Sequence, residues 1–332
     1  MYYDIHGIIG IDSDVFLNQI PSYFISNNVN KLNLELRISD LSFNKPKDAK
    51  VRRINYYYWI ENETLKIWHP MGARLSVYID IKDRYIKLET NKIFWTLSSG
   101  YSKDSMIYRC LYLLFANTNY TFIHAGCVDY EGAGILIIAP PDFGKTSVTL
   151  LLTSKGFKFL GDDHVIISNG YAYCYPRPCT ISPTTHTGGV VKGVSTYKKV
   201  LSLLGPIYSM YLRLVGSPSK MVEVPREIIK DKTKLKYIFI LEGYSNRRVL
   251  KECNKNKAAE WCVMPLLSMT GYPDSYIDLY CYLKGICYSS MLNSKLLYIE
   301  NVFRSLECFR VSGKSIKEWA EVIYSYIVEN ER

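Results

Sequence analysis

Gly144-Lys145-Thr146 is an arrangement by which a chain grips phosphate: a small residue, a cation, then a hydroxyl. In such a loop the backbone N–H groups and the N-terminus of the following helix bind phosphate oxygens. Lys145 adds charge at the β- and γ-phosphates, and Thr146 offers a hydroxyl to Mg²⁺. Gly144 lets the backbone approach where a Cβ would intrude. The whole stretch Asp142-Phe143-Gly144-Lys145-Thr146-Ser147 therefore reads as nucleotide-binding. Further on, Asp162 and Asp163 stand side by side, followed by His164. One carboxylate of such a pair can hold metal while the other accepts a proton from an attacking hydroxyl. His124 precedes the loop and is a candidate contact to phosphate or to a carboxylate. This is a set of residues suited to phosphoryl transfer.

The flanking elements explain how these groups would meet. Gly134 to Ala139 is a continuous apolar run with β-branched residues, which predicts a buried parallel strand. Ser147 to Lys155 carries Val148, Leu151 and Leu152 at helical spacing and stops at Gly156. Phe157 to Leu160 reads as a second strand running into Gly161-Asp162-Asp163. A strand–helix–strand crossover is parallel, so the end of the second strand emerges at the same sheet edge as the loop. A hairpin through Asp129-Tyr130-Glu131-Gly132 would fold residues 123–128 against 133–138 and bring His124 towards that edge. The loop departs from Gly-x-x-x-x-Gly-Lys-[Ser/Thr] at one end: Ala139 stands at the first glycine, and Pro140 and Pro141 remove two N–H donors.

With these residues assembled, a resemblance emerges. His124-Ala125-Gly126, the apolar strand, Gly144-Lys145-Thr146, Lys155-Gly156-Phe157 and Gly161-Asp162-Asp163 are similar to the core of HPr kinase/phosphorylase and its HPr-kinase-like relatives. Tyr175-Pro176-Arg177-Pro178 is similar to a Pro-Arg-Pro segment of that branch. The resemblance covers about residues 105–185 and implies an α/β fold: a phosphoenolpyruvate-carboxykinase-like P-loop kinase core. It further implies ATP and Mg²⁺, with transfer of the γ-phosphate to a hydroxyl. Lys145 would bind the β/γ-phosphates, and Thr146 with Asp163 the metal. Asp162 would be the base, His124 would lie by the transferred phosphate, and Arg177 would contact an anionic substrate. No counterpart of the family's Glu-x-x-Gly-x-Gly signature follows; Gly188-Gly189-Val190-Val191-Lys192-Gly193 lies nearby without the glutamate. The resemblance therefore implies neither HPr as acceptor nor phosphorolysis. Relatives without that signature act on other acceptors, including ribosomal peptides.

The 332 residues suggest about two domains. Residues 1–100 read as a β-rich accessory domain, with alternation in Leu32–Ile38 and Leu75–Ile81 and a hairpin turn at Glu61-Asn62-Glu63. Residues 101–332 form the expected kinase domain, entered through a helix over Asp104–Asn117 capped by Ser102 or Asp104. At the far end, Ser315 with Glu318 reads as a capping box before the apolar stripe Ile316, Trp319, Ala320, Ile323 and Ile327.

Hydrophobic residues make up 48% and charged residues 22%, which excludes a disordered or fibrous chain. No segment reaches the length of a membrane span. The closest run, Val200 to Val215, is broken by Gly205-Pro206 and Arg213 and reads as core. The start lacks a basic and then apolar leader pattern. Nine cysteines without Cys-x-x-Cys read as buried thiols of a cytoplasmic protein. The net charge of +10 arises almost wholly from residues 186–260, which hold 15 Lys+Arg against 6 Asp+Glu. No nucleic-acid signature accompanies that charge. The clusters Lys198-Lys199, Lys230 to Lys236 and Arg247-Arg248 read as solvated surface or as a region recognising an acidic substrate. The expected partner is a small-molecule or peptide hydroxyl acceptor, with neither nucleic acid nor membrane, and a homo-oligomer is compatible with the sequence. A nucleotide-binding regulatory module with little transferase activity is the alternative.

Overall fold

The computed structural model describes residues 1–53, 56–98, 100–140, 142–182, 185–190, 220–270 and 276–331. Val200 to Val215, Lys198-Lys199 and the end of the Gly188–Gly193 segment lie outside the described residues. The chain is mixed α/β with several sheets and divides into two compact units: Met1–Thr118 with Ser268–Asn293, and Asn119–Leu267 with Ser294–Arg332.

The first unit is built on a nine-stranded sheet of β1 (Tyr2–Ile5), β2 (Ile9–Ser13), β3 (Ile25–Ser26), β4 (Leu32–Ile38), β5 (Lys50–Arg53), β6 (Tyr56–Glu61), β7 (Thr64–Trp68), β8 (Arg74–Asp80) and β9 (Tyr85–Thr90), in the order β3-β1-β2-β4-β9-β8-β7-β6-β5. Alternation drives it. In β9 every second residue (Ile86, Leu88, Thr90) is buried, as expected for a sheet with one wet face. The turn predicted at Glu61-Asn62-Glu63 joins β6 to β7, and Asn62 and Glu63 take positive φ as a two-residue hairpin turn requires. Helices α1 (Lys92–Leu97) and α2 (Gly100–Phe115) follow. Since α2 begins at Gly100, the caps expected at Ser102 or Asp104 do not hold: both residues lie inside the helix.

The second unit carries the phosphate-loop segment. Its main sheet contains β10 (Thr121–Ile123), β11 (Gly126–Tyr130), β12 (Ala133–Ile138), β13 (Lys158–Gly161), β14 (Val165–Ser168), β15 (Tyr171–Tyr173), β18 (Lys232–Tyr244), β19 (Val249–Glu252) and β20 (Glu307–Gly313); β16 (Cys179–Ile181) and β17 (Lys220–Val222) form a separate ribbon. Among the helices, α3 (Lys145–Ser154) follows the loop and α4 (Lys255–Thr270) comes later; α5 (Tyr276–Leu283) belongs to the first unit, α6 (Tyr288–Phe303) returns the chain to the second, and α7 (Ile316–Asn330) ends the described chain.

All six residues of β12 are buried, as its apolar run predicts. The hairpin is present: β11 pairs antiparallel with β12, Gly126 opposite Ile137, across Glu131 and Gly132, which both have positive φ. The crossover holds in direction but not in adjacency. β13 pairs antiparallel with β11, so it runs parallel to β12 with β11 inserted between them. On the other side of β12 lie β18 and then β20, both parallel to it. Helices α3 and α7 cover one face, where Val148, Leu152, Trp319, Ile323 and Ile327 pack on Ile135, Ile137, Phe239 and Val311. The Ser315 cap forms as expected, accepting from the Glu318 N–H at 3.3 Å. The Glu318 carboxylate, however, accepts from Lys314 N–H at 2.7 Å, one residue before the expected donor.

A buried polar pin closes the opposite end of the sheet. Asp129 is 3% exposed, and its carboxylate takes both Lys230 Nζ (2.8 and 2.7 Å) and the Thr233 hydroxyl (2.7 Å). Asp129→Ala is expected to cost about 1.5–3 kcal/mol, since it strands a half-exposed ammonium and a buried hydroxyl. Urea unfolding measures this.

Candidate functional site

The site grows from the turn between β12 and α3. Gly144 is the N-terminal boundary of α3, with φ of 88°, a left-handed conformation that favours glycine. It also offers no side chain to cap the helix. The first-turn N–H groups of α3, which no helix satisfies internally, are thereby left to a ligand. A Cβ at Gly144 would meet Ile316 Cδ1 at 2.9 Å, so the loop packs directly on α7. Phe143 stacks on Trp319 with ring centroids 5.9 Å apart, which makes it an anchor of the loop. Asp142 is exposed with φ of 60°. The Ser147 hydroxyl is turned back into the protein, where it accepts from the His186 N–H at 3.0 Å.

Lys145 is the centre of the cluster. It is 4% exposed, with Nζ 2.6 Å from His124 Nε2 and 3.2 Å from an Asp163 carboxylate oxygen. His124 reaches it from the bend between β10 and β11, whose position is fixed by a His124 N–H bond of 3.0 Å to the Cys262 carbonyl of α4. Burial, with the Lys145 charge behind it, pushes the imidazole down to about 4. The ring is therefore neutral near pH 7. Nε2 accepts from the ammonium, so the ring proton resides on Nδ1. That Nδ1 is buried and has no hydrogen-bond partner.

The two carboxylates have opposite environments. Asp162, 3% exposed at the end of β13, is pushed well above the usual carboxylate range by burial and then by the charge of Asp163. Lys145 and the Thr146 hydroxyl offset part of this. One of its oxygens, Oδ1, is buried without a partner. Asp163 is more open, with 41% of its side chain exposed. Burial pushes it up, but Lys145 and the two histidines outweigh that and hold it below the ordinary range. Its backbone is left-handed, φ 67°, which is uncommon for a residue with a side chain and marks a tightly determined turn. Two adjacent carboxylates with pKa values pushed apart can divide the work of proton acceptor and fixed charge.

The structure thus brings His124, Lys145, Thr146, Asp162 and Asp163 together at the C-terminal edge of the sheet. Arg177 stands one step removed: its Nη1 lies 3.5 Å from His164 Nδ1. The sequence pattern alone gives His164 no role. It is fully buried, its ring centroid 6.2 Å from that of His124, and burial followed by the Arg177 charge holds it well below its ordinary pKa. Its place directly after the Asp-Asp pair was the available signal. The basic cluster Lys230–Lys236 does not belong here. β18 runs parallel to β12, so the start of β18 lies at the edge opposite the loop, where Lys230 holds Asp129 and Lys232 lies 4.2 Å over the Tyr171 ring. Those lysines therefore do not line the loop edge of the sheet.

Among the described residues no group of three or more His, Cys, Asp or Glu could hold a metal alone. Mg²⁺ bound with a nucleotide needs less, one or two carboxylates with phosphate oxygens completing the shell. The half-exposed Asp163, the Thr146 hydroxyl and the unpartnered Asp162 Oδ1 fit that demand. All nine cysteines are free, seven of them buried. No helix among the described residues is long and apolar enough to cross a membrane.

No protein-family model and no curated protein matches the chain. Among solved structures it is similar to the HPr(Ser) kinase/phosphatase from Coxiella burnetii, with 10% identity over 64% of this chain and 99% of that one, at a TM-score of 0.28. A likeness that weak leaves fold and function to rest on the residues themselves.

Proposed function

We propose that the chain is an ATP- and Mg²⁺-dependent kinase that transfers the γ-phosphate to a hydroxyl of a small molecule or peptide, with the activity in the second unit. The observation that carries this reading is the cluster at Lys145: a buried ammonium at a helix N-terminus, within 3.2 Å of both a neutral histidine and a carboxylate, with a second, perturbed carboxylate beside it. In this reading the first-turn N–H groups of α3 and Lys145 hold the β/γ-phosphates. His124 and Asp163 fix the direction of the Lys145 side chain before any ligand arrives, so little ordering remains to be done on binding. The His124 Nδ1–H donor lies beside the transferred phosphoryl group. Mg²⁺, held by Thr146 and Asp163, would neutralise the charge that grows on the phosphate oxygens. Asp162 takes the proton of the acceptor hydroxyl, and Arg177 contacts an anionic group of the acceptor.

The deciding experiment supplies ATP and Mg²⁺ with a panel of hydroxyl acceptors and follows ADP together with labelled product. Acceptor-dependent ADP supports the kinase. Nucleotide binding without it would favour a regulatory module. The pH profile gives a second check. A base must be deprotonated to act, and Asp162 is held above the ordinary carboxylate range. The acid limb of kcat is therefore expected to the alkaline side of an unperturbed aspartate near 4. A limb at or below pH 4 would remove Asp162 from the role.

A further inference from the structure

The direction of the phosphate chain selects the side of the sheet on which the rest of the nucleotide must lie. Lys145 Nζ leans towards His124, in the bend that enters β11, and Asp163, in the turn that leaves β13. The γ end of a triphosphate held by Lys145 therefore points that way. A nucleoside leaving in the opposite sense would reach the ends of β18 and β20, on the other side of β12.

An aromatic ladder stands on that side. Phe143 of the loop stacks on Trp319, and Tyr244 lies against the same indole with ring centroids 5.0 Å apart and planes 35° apart. Tyr244 is the last residue of β18, at the edge to which the loop belongs. A Cβ on the preceding Gly243 would lie 3.4 Å from the Phe143 ring, so the strand end touches the loop. Trp319 is fully buried, whereas Tyr244 is 69% exposed. One side of the tyrosine ring is thus backed by a fixed indole, and most of its surface is open to solvent. Arg247, exposed in the turn that follows, adds positive charge at the same edge. A rigidly backed, solvent-facing ring is a stacking surface for a flat heterocycle, and stacking tolerates any base because every base has a π-face.

We propose that Tyr244 is the platform on which the base of the bound nucleotide stacks, with Trp319 as its backing and Phe143 as its link to the phosphate loop. The proposal rests on the phosphate-loop reading above. It assigns the chain a binding preference for nucleoside triphosphates over bare polyphosphate, with weak discrimination among bases.

The test measures Mg²⁺-dependent affinity for ATP and for inorganic tripolyphosphate on the wild-type chain, Tyr244→Ala and Tyr244→Phe by titration calorimetry. Tyr244→Ala is expected to weaken ATP binding by roughly 10–100-fold, the usual worth of one base–aromatic stack. Tripolyphosphate should change by less than twofold, and Tyr244→Phe should bind ATP like the wild type. Equal losses for both ligands in Tyr244→Ala, or no loss for either, overturn the platform while leaving the phosphate loop intact. A wild-type chain that binds neither ligand overturns the phosphate-loop reading and the platform with it. Tyr244 is exposed, so unchanged melting curves should accompany each variant.

Discussion

Replacing Lys145 with alanine is expected to weaken ATP binding by about 10²–10³-fold, the scale of removing one member of a buried, hydrogen-bonded charge pair. The effect is large because the ammonium is 4% exposed and cannot be replaced by solvent cations. It is also specific, since the backbone cradle of α3 stays in place and still offers its N–H groups. The same substitution has a structural side. Asp163 loses the cation that does most to hold its pKa down, and His124 Nε2 loses its donor. Asp163 can turn to water, being half-exposed, but the buried imidazole cannot. Lys145→Met separates the two effects, because it keeps the length of the stem within the core and removes only the charge. If Lys145→Met melts like the wild type and yet binds ATP equally well, the loop does not hold phosphate through this lysine.

The residues that carry this cluster were legible in the sequence because their signals are local. The six apolar residues of β12, the glycine at the helix start and the two-residue turn at Glu131-Gly132 each fix their own backbone. The Asp-Asp pair could be placed at the loop edge because a crossover returns parallel. What the sequence did not reveal is pairing at a distance. β11 inserts between β12 and β13, although nothing in three apolar runs says which of them is in the middle. That insertion matters, because β11 follows directly on His124 and so delivers it to Lys145. The lysines from 230 to 236 show the same gap in reverse. Their spacing suggested one patch, but the strand direction carries them to the far edge, where Asp129, Tyr171 and Glu331 engage them. Electrostatic partnership follows sheet order, and sheet order is non-local.

Asp162→Asn is expected to lower kcat by about 10²–10⁴, the usual worth of a positioned general base, with ATP affinity nearly unchanged. The amide is the same size and fills the same buried place at the end of β13, so a lost reaction would not reflect a lost fold. Stability should move the other way. Burial and the neighbouring Asp163 raise the carboxyl of Asp162 in the folded chain above its unfolded value. Above the unfolded pKa the folded state then holds more protons than the unfolded one, and stability falls as pH rises towards the folded pKa. The asparagine has no such proton to lose. Its melting temperature relative to the wild type should therefore be equal or lower at pH 3 and should rise progressively above pH 4, levelling off once Asp162 is ionised in the folded wild type. A group that costs stability and is kept in a cluster of opposed pKa values is better explained by chemistry than by folding. Should Asp162→Asn turn over at the wild-type rate, the proton acceptor is another group. Should it lose activity and stability together, the carboxylate serves the fold, and the phosphoryl-transfer role assigned to it fails.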